Sequence, residues 1–590
     1  MKKIVYILSV MLLAAACNLE KFPSDALSTD SMKDPGNAST VTDGTYAMFK
    51  AILMYNDIDY SANSYVRHFF QMAEFRGDNI VLCAKTTDPL NDAICYTDKS
   101  TQGNTGYFWW ISYKIILSAN TIIEAIPASV ETADPKSEQG PLRHILGENY
   151  FLRAVAHLNL LQIYANPYSF GTDNPGVVLR TSTKTDVTDR STVGVCYDQV
   201  EKDLIKAAAL MKGGSRRSSS NCYASYEAAM GMLSRVQLYM GKWDDCIATV
   251  KTMLKDENGA DVDPATKLDQ DYENLFQNSK TSPEVLWCVA MIPSDWTSQK
   301  GSMGSMFYSY DSKDPTQTSA PGGGGWGEIY YSQPLMDLFN RYPQDIRFST
   351  MAEAYQEDKN KTMIYWPLKP KGEDTFFRLM QVDNNPKIEG GELKSCKDSA
   401  NVSYPIEKRI VNTYPEYHIQ YGSEDIRLGV MHKCATNKSY PVVYMKKFCN
   451  MGGGAEHNVL NSPIMIRWSE VILNRAEAYA HKNDPKAIDD VNVIRARAGL
   501  TGDAQMSDGN RAARGYAGDE GLLDLVLDER RMELCFEGFR PFDLTRNKKD
   551  IDRRYGGYNP YELISYDDKR IPYLIPNEEV TVSHITQNPR

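Results

Sequence analysis

The sequence predicts a mostly α protein: tetratricopeptide-type helix pairs form a scaffold that carries a long irregular, loop-rich insertion. Three observations carry this. Apolar residues recur at steps of three and four along 143–165 and 521–534, the period of helices with one buried face. Residues 223–256 and 467–499 share one grammar of helix, turn and helix over about 33 or 34 residues, the length and form of a tetratricopeptide-type repeat. Between them, residues 257–460 lose the helical period and are punctuated by proline, glycine, tryptophan and tyrosine.

Composition sets the bounds. A chain of 590 residues has room for several cores, and its 42% hydrophobic and 24% charged content is that of a folded globular protein. The net charge of -11 argues against a nucleic-acid partner, which wants a basic face. Aromatic residues reach 11%, with 36 tyrosines.

Residues 1–16 read as an export signal: Met1-Lys2-Lys3 is basic, and Ile4 to Ala16 is apolar. The run is too short for a spanning helix, which needs about 20 residues. Ala14-Ala15-Ala16-Cys17 resembles a bacterial lipobox, although the usual Leu stands one step further out, at Leu13. Cys17 is the expected lipidation site; the alternative is a secretory leader cut before an incidental cysteine. Each buried acyl methylene contributes about 0.8 kcal/mol, and more than one chain makes such an anchor durable. Residues 17–37 are polar and turn-rich, a tether to the folded body.

Residues 38–256 form the first part of the scaffold. Helices are predicted from Thr40 to Leu53, capped by Ser39 or Thr40, and from Tyr107 or Trp109 to Ile126. Another spans Arg143–Ala165, where Gly147 and Ala154 allow a neighbour close and Asn166-Pro167 stops the ladder. Tyr197–Met211 gives a further one. The insertion, 257–460, is read as loops with short strands, its helical period returning around Pro334–Phe339. Loops on a rigid scaffold are where binding usually resides. Residues 461–590 complete the scaffold.

The stretch 521–546 concentrates charge. Glu529, Glu533 and Glu537 stand four apart, an acidic row on one helix, with Arg530, Arg531, Arg540 and Arg546 close by. Such a set is either a carboxylate reaction centre or an ion network locking the helix in place. The second reading is favoured, so Glu533→Ala or Arg540→Ala is expected to impair folding rather than binding.

Beyond Cys17, the remaining ten of the eleven cysteines show no CxxC and no zinc-type Cys/His cluster. Cys246, Cys288 and Cys535 read as small buried residues, while a Cys83–Cys95 bridge stays open. No P-loop, HExxH, GxSxG or EF-hand loop occurs, and the eight histidines are scattered. The expectation is therefore no catalytic centre, no metal and no cofactor.

One ordered set of segments says more. It comprises the Cys17 leader with Leu19-Glu20-Lys21-Phe22-Pro23, then Gly147-Glu148-Asn149-Tyr150-Phe151-Leu152-Arg153-Ala154 and Gly241-Lys242-Trp243-Asp244. Arg467 to Tyr479, Asp528-Glu529-Arg530-Arg531, Glu537 to Leu544, Ile575 to Glu579 and Thr586 to Pro589 follow. Together these resemble the RagB/SusD family of outer-membrane lipoproteins from Bacteroidota. The resemblance implies a SusD-like fold of tetratricopeptide-like helix pairs with an irregular subdomain. It also implies a surface-exposed, lipid-anchored protein of the outer membrane that binds a nutrient, usually a glycan, and works with a SusC-like TonB-dependent transporter without catalysis. A peptide ligand is the alternative that relatives of RagB type suggest. An exported glycoside hydrolase would need two carboxylates about 5 to 10 Å apart, and nothing in the sequence nominates a pair.

Sugars offer C–H faces to aromatic rings and hydroxyl edges to Asp, Asn and Arg. Trp326, after the run Pro321-Gly322-Gly323-Gly324-Gly325, is the leading stacking candidate, against a role plugging the core. Trp296, Tyr308 and Tyr310 lie in the same region. Arg76, Asp78, Asn79, Tyr96 and Asn104, along the early loop, are the candidates that family members suggest. Trp109 and Trp110 read as core, Trp243 and Trp468 as structural repeat positions.

Overall fold

A computed structural model describes residues 29–590 apart from 52, 54–63, 83–89, 185–188, 215, 293–302, 308–328, 343, 355–362, 366–377, 383–394, 398–401, 412–413, 434–438, 442, 449–460, 519, 556 and 558–559. The first helix, α1 (Pro35–Ala47), starts where the Asp34 side chain accepts the Asn37 N–H and Pro35 takes the first helical position. The predicted span 40–53 is thus corrected to an earlier one, because Asp-Pro is the stronger start signal. Ser64 caps α2 (Tyr65–Glu74), and α3 (Leu90–Cys95) follows. Next come α4 (Gly103–Ala125), α5 (Gly140–Tyr164) and α6 (Val193–Met211), the last capped by Thr192. The first repeat is α7 (Tyr226–Tyr239), capped by Ser225, with α8 (Trp243–Met253).

These helices pack in series: α5 lies on α4 and α6, α6 on α7, and α7 on α8. Gly147 sets the α5–α6 spacing. A Cβ there would sit 2.7 Å from Met211 Cγ and 3.1 Å from the Ala207 carbonyl oxygen.

The insertion region holds α9 (Tyr272–Gln277), α10 (Met303–Phe307), α11 (Gln333–Asn340) and α12 (Ile346–Met351). The second repeat, α13 (Trp468–His481) with α14 (Lys486–Arg497), packs directly on the first: α13 touches both α7 and α8. The Arg235 guanidinium joins the two, donating to Glu470 at 2.6 Å and to the Met465 carbonyl at 2.6 Å. α15 (Gly521–Glu533), α16 (Arg540–Arg546) and α17 (Asn577–Val582) complete the helices.

Strands cluster in the insertion and at its root. β1 (Ile80–Leu82) belongs to the early loop, and β2 (Val285–Cys288) to the insertion's entry. β3 (Ile329–Tyr331) and β4 (Ala352–Ala354) precede β5 (Met363–Tyr365), β6 (Arg378–Val382), β7 (Ser395–Lys397), β8 (Ser403–Pro405), β9 (Glu407–Val411), β10 (Tyr414–Tyr421), β11 (Glu424–Lys433) and β12 (Ser439–Pro441). From β5 to β12 these form one eight-stranded antiparallel sheet, ordered β8-β7-β6-β5-β11-β10-β9, with β12 also on β11. The short strands expected in the insertion thus pair into one sheet. Its hairpin β10–β11 turns on two residues, with Gly422 at φ 62°. β13 (Val443–Met445) pairs with β4, and β14 (Ile464–Arg467) with β2, closing the insertion where it opened.

A shared apolar core runs beneath both repeats and takes in insertion residues as well. Buried Trp287 of β2 meets Phe49 and Phe151 edge-on, centroids 5.4 and 5.1 Å apart, and its indole N–H donates to the Cys222 carbonyl at 3.2 Å. Cys246, Cys288 and Cys535 are buried free thiols. Cys95 is also a free thiol, and Cys83 lies outside the described residues.

Three core histidines set an acid limit. Burial holds His68 down to about 3, His144 to about 4 and His157 to about 3. His157 shows why: with Nδ1–H donating to the Arg153 carbonyl at 3.0 Å, Nε2 must accept the Arg180 N–H at 3.3 Å, leaving no place for a second proton. Unfolded histidines bind protons from about 6.5, so this stability is complete above that pH and is lost as pH falls toward 4, by up to about 1.4 kcal/mol per histidine per pH unit. Buried Glu74, raised to about 7 by burial, acts oppositely, its share declining as pH rises from the ordinary carboxylate range toward 7. Burial also raises the Glu148 and Asp490 carboxyls. The large shifts of the three histidines outweigh these and give lower urea midpoints at pH 4.5 than at pH 7, with His157→Gln flattening the slope.

Candidate functional site

Every carboxylate of the charged stretch is ion-paired. Glu529 and Glu533 lie on α15, whereas Glu537 lies beyond its end, after Phe536 at φ 66°; the single helical row is corrected to two helix positions and a turn. Their partners come from distant segments. Arg347 of α12 reaches Glu529 at 2.7 Å and Glu533 at 3.2 Å, while Arg495 of α14 takes the other Glu529 oxygen at 3.1 Å. Arg467 joins Glu284 at 2.8 Å, Glu533 at 2.6 Å and Glu537 at 2.9 Å, and Arg497 pairs with Glu284 and Glu533. Lys447 completes the set on Glu537 at 2.8 Å. Burial alone would raise the Glu533 carboxyl, but Arg497, Arg467 and Arg347 outweigh it and hold it well below the usual range. An ionised carboxylate sealed among guanidiniums neither gives up a proton nor meets a substrate. This is a structural lock.

Arg530, Arg531 and Arg540 serve other partners than the expected glutamate row. Arg530 bonds Asp543 at 3.0 Å and Glu477 at 3.2 Å. Arg531 donates to the Asn79 side chain at 2.9 Å, and Arg540 to Asp78 at 2.7 and 3.1 Å.

Those contacts involve ligand candidates of the early loop. Asp78 and Asn79 are buried, and the charges of Arg531 and Arg540 overcome the effect of burial on Asp78, bringing it to about 2. Asn79 also donates to Glu74 at 2.9 Å. Arg76, 3% exposed, donates to Asp98 and to the carbonyls of Arg570 and Ile571 at 2.6 to 2.7 Å, with its guanidinium 3.4 Å from the Tyr573 ring centre. Tyr96 is buried and donates to the Arg76 carbonyl at 2.7 Å. All four help clasp the early loop to the C-terminal segment, and Arg76 and Tyr96 also line a small cavity there. Asn104 differs: it stands half-buried on the first turn of α4, its Oδ1 accepting the Thr105 N–H at 3.1 Å. Trp296, Tyr308, Tyr310, Trp326 and Cys17 lie outside the described residues.

A recess of about 260 Å³ opens on the outer side of α4. Trp109, Trp110 and Tyr113 line one wall, with Lys114 and Leu117 continuing along the helix. The facing wall is the extended segment 178–184, and residues 579–585 close the third side. Sequence logic anchors this wall: Tyr113 OH donates to the Val178 carbonyl at 2.9 Å, and Asn120 Nδ2 to those of Arg180 and Ser182 at 3.3 and 3.0 Å. Thr183 N–H and O–H both donate to Glu124, at 2.7 and 2.6 Å. Trp109 is core as expected, 2% exposed, but Trp110 is half-buried, with Lys114 Nζ 4.5 Å from its ring centre. Residues 110, 114 and 117 share one outward stripe of an otherwise apolar helix, and that periodicity was the signal for the recess. Trp468 is buried, and Trp243 stacks on His481 at 4.0 Å, so both hold repeats together.

Comparison with known proteins places this architecture. The sequence model described as SusD family matches residues 283–584, and one described as starch-binding associating with outer membrane matches 44–238. The chain is 21% identical over 584 residues to SusD-like protein P2 of Formosa agariphila, covering 97% of this chain and 95% of that one. A SusD superfamily structure from Bacteroides thetaiotaomicron superposes with a TM-score of 0.64 at 21% identity, over 94% of this chain and all of that one. A protein described as sugar binding from Bacteroides vulgatus gives 0.64 at 19%, covering 94% and 98%. A laminarin-binding SusD-like protein gives 0.59 at 17%, covering 94% and 99%. With one family match spanning half the chain and the helical scaffold shared end to end, this chain belongs to the SusD family.

Proposed function

We propose that this protein is a surface-exposed outer-membrane lipoprotein, tethered through Cys17, that binds an oligo- or polysaccharide. It delivers the glycan uncleaved to a SusC-like TonB-dependent transporter. The observation that carries the reading is the match of residues 44–238 to a family described as starch-binding associating with outer membrane. The buried, fully paired state of Glu284, Glu529, Glu533 and Glu537 supports a binding role over hydrolysis for this carboxylate cluster. Trp326, Trp296, Tyr308 and Tyr310 are the proposed stacking residues, and Asn104 a proposed polar contact.

The mature protein is incubated with a panel of polysaccharides and of peptides, with retention and release of reducing ends both measured. Retention of a glycan without new reducing ends is expected. Release of reducing ends sinks the non-catalytic reading, and retention of peptides alone turns the ligand to peptide. Trp326→Ala weakens retention several-fold with the urea midpoint nearly unchanged. A lower midpoint at constant affinity assigns Trp326 to the core instead.

A further inference from the structure

The recess beside α4 combines features that a neutral-sugar platform does not need. Its aromatic wall, Trp110 and Tyr113, faces a cationic rim: Lys114, Arg180 and Lys184 line it against a single carboxylate, Glu579. Within a chain of net charge -11, this is a locally positive concavity that draws in anions. Arg180 is the centre of the argument. Its backbone is fixed on both sides, the N–H donating to His157 at 3.3 Å and the carbonyl accepting from Asn120 at 3.3 Å. Among the described residues its guanidinium, half-buried, makes no hydrogen bond or ion pair, and neither does the ammonium of Lys184. Arg153, in the scaffold interior, is by contrast tied to Asp203, Asn120 and the Thr181 carbonyl. A preorganised arginine fork left unpaired in an aromatic recess matches the planar geometry of a carboxylate. At about 260 Å³ the space falls just under the range of pockets for drug-sized ligands, about 300 Å³ and upward, which suits one ring rather than a chain.

We propose that this recess is a further glycan site, one that takes one acidic sugar unit of the hexuronate class. The ring lies against Trp110 and Tyr113, and its carboxylate meets Arg180 and Lys184. The inference rests on the glycan-binding reading and narrows it to glycans carrying uronic acids.

The test uses the full mature chain, titrated with D-glucuronate, with D-glucose and with N-acetyl-glutamate amide while tryptophan fluorescence is followed. Glucuronate is expected to bind at least tenfold tighter than either control, more weakly as salt rises. Arg180→Met, which keeps the stem but removes the fork, lowers glucuronate affinity about tenfold, and Trp110→Ala abolishes the response. Urea midpoints matching the parent show that both variants are folded; Lys184→Gln, on an exposed side chain, gives an independent reading of smaller size. Equal binding of glucose and glucuronate overturns the inference, as does an unchanged preference in both Arg180→Met and Lys184→Gln. Equal binding of N-acetyl-glutamate amide overturns its sugar half. Failure here leaves polysaccharide retention by the parent intact, whereas failure of the broader reading removes that retention.

Discussion

Glu533→Ala is expected to cost about 3–5 kcal/mol of folding stability, or to yield no soluble protein at all. Glu533 is the hub on which Arg347, Arg467 and Arg497 converge, all three buried, so its removal leaves three guanidiniums without their shared counter-charge. The penalty comes from stranded charge and not from a lost contact. Adding Arg467→Met to Glu533→Ala should therefore recover part of the loss by removing one stranded cation, although Glu284 and Glu537 then lose a partner each. Arg540→Ala is milder, because Asp78 keeps Arg531 at 3.4 Å. Urea midpoints rank the three variants, and a Glu533→Ala protein within about 1 kcal/mol of the parent would refute the lock.

Gly147→Leu is the second large effect, at about 3 kcal/mol, the upper end for overpacked cores. Here α5 brings no side chain of its own to α6: even a Cβ would lie 2.7 Å from Met211 Cγ and 3.1 Å from a backbone oxygen. Met211 can yield, but the Ala207 carbonyl belongs to the ladder of α6 and cannot. Gly147→Ala is the control, since a helix gains about 1 kcal/mol from Gly to Ala and offsets part of the crowding. If leucine is accommodated with an unchanged urea midpoint, the helices are further apart than described.

The scaffold was legible because its signals are local. Helix periods, the stop at Asn166-Pro167 and the two repeats are written within windows of a few turns, and the helices fall within a few residues of them. The eight-stranded sheet was not, since most of its strands span three to five residues, too short for an alternation to stand out. The pairing of the early-loop candidates was not legible for a different reason. Arg76 and Asp78 are bound to Arg570 and Arg540, 494 and 462 residues further along. No local pattern reveals such partners. The recess went unread because Trp110 sits beside the core residue Trp109, and its opposite wall is a segment without helical period.

The contact between the two repeats has a kinetic consequence. Arg235 and Glu470 are 235 residues apart, and the face of α7 that α13 covers stays open until that later helix has emerged and folded back. Closing a loop of this size costs chain entropy before any contact repays it, and such non-local pairing slows folding. The first half of the chain thus waits, partly uncovered, for the second. An internal deletion trimming the sheet between β5 and β12 would shorten that wait and speed refolding while leaving the helical frame intact.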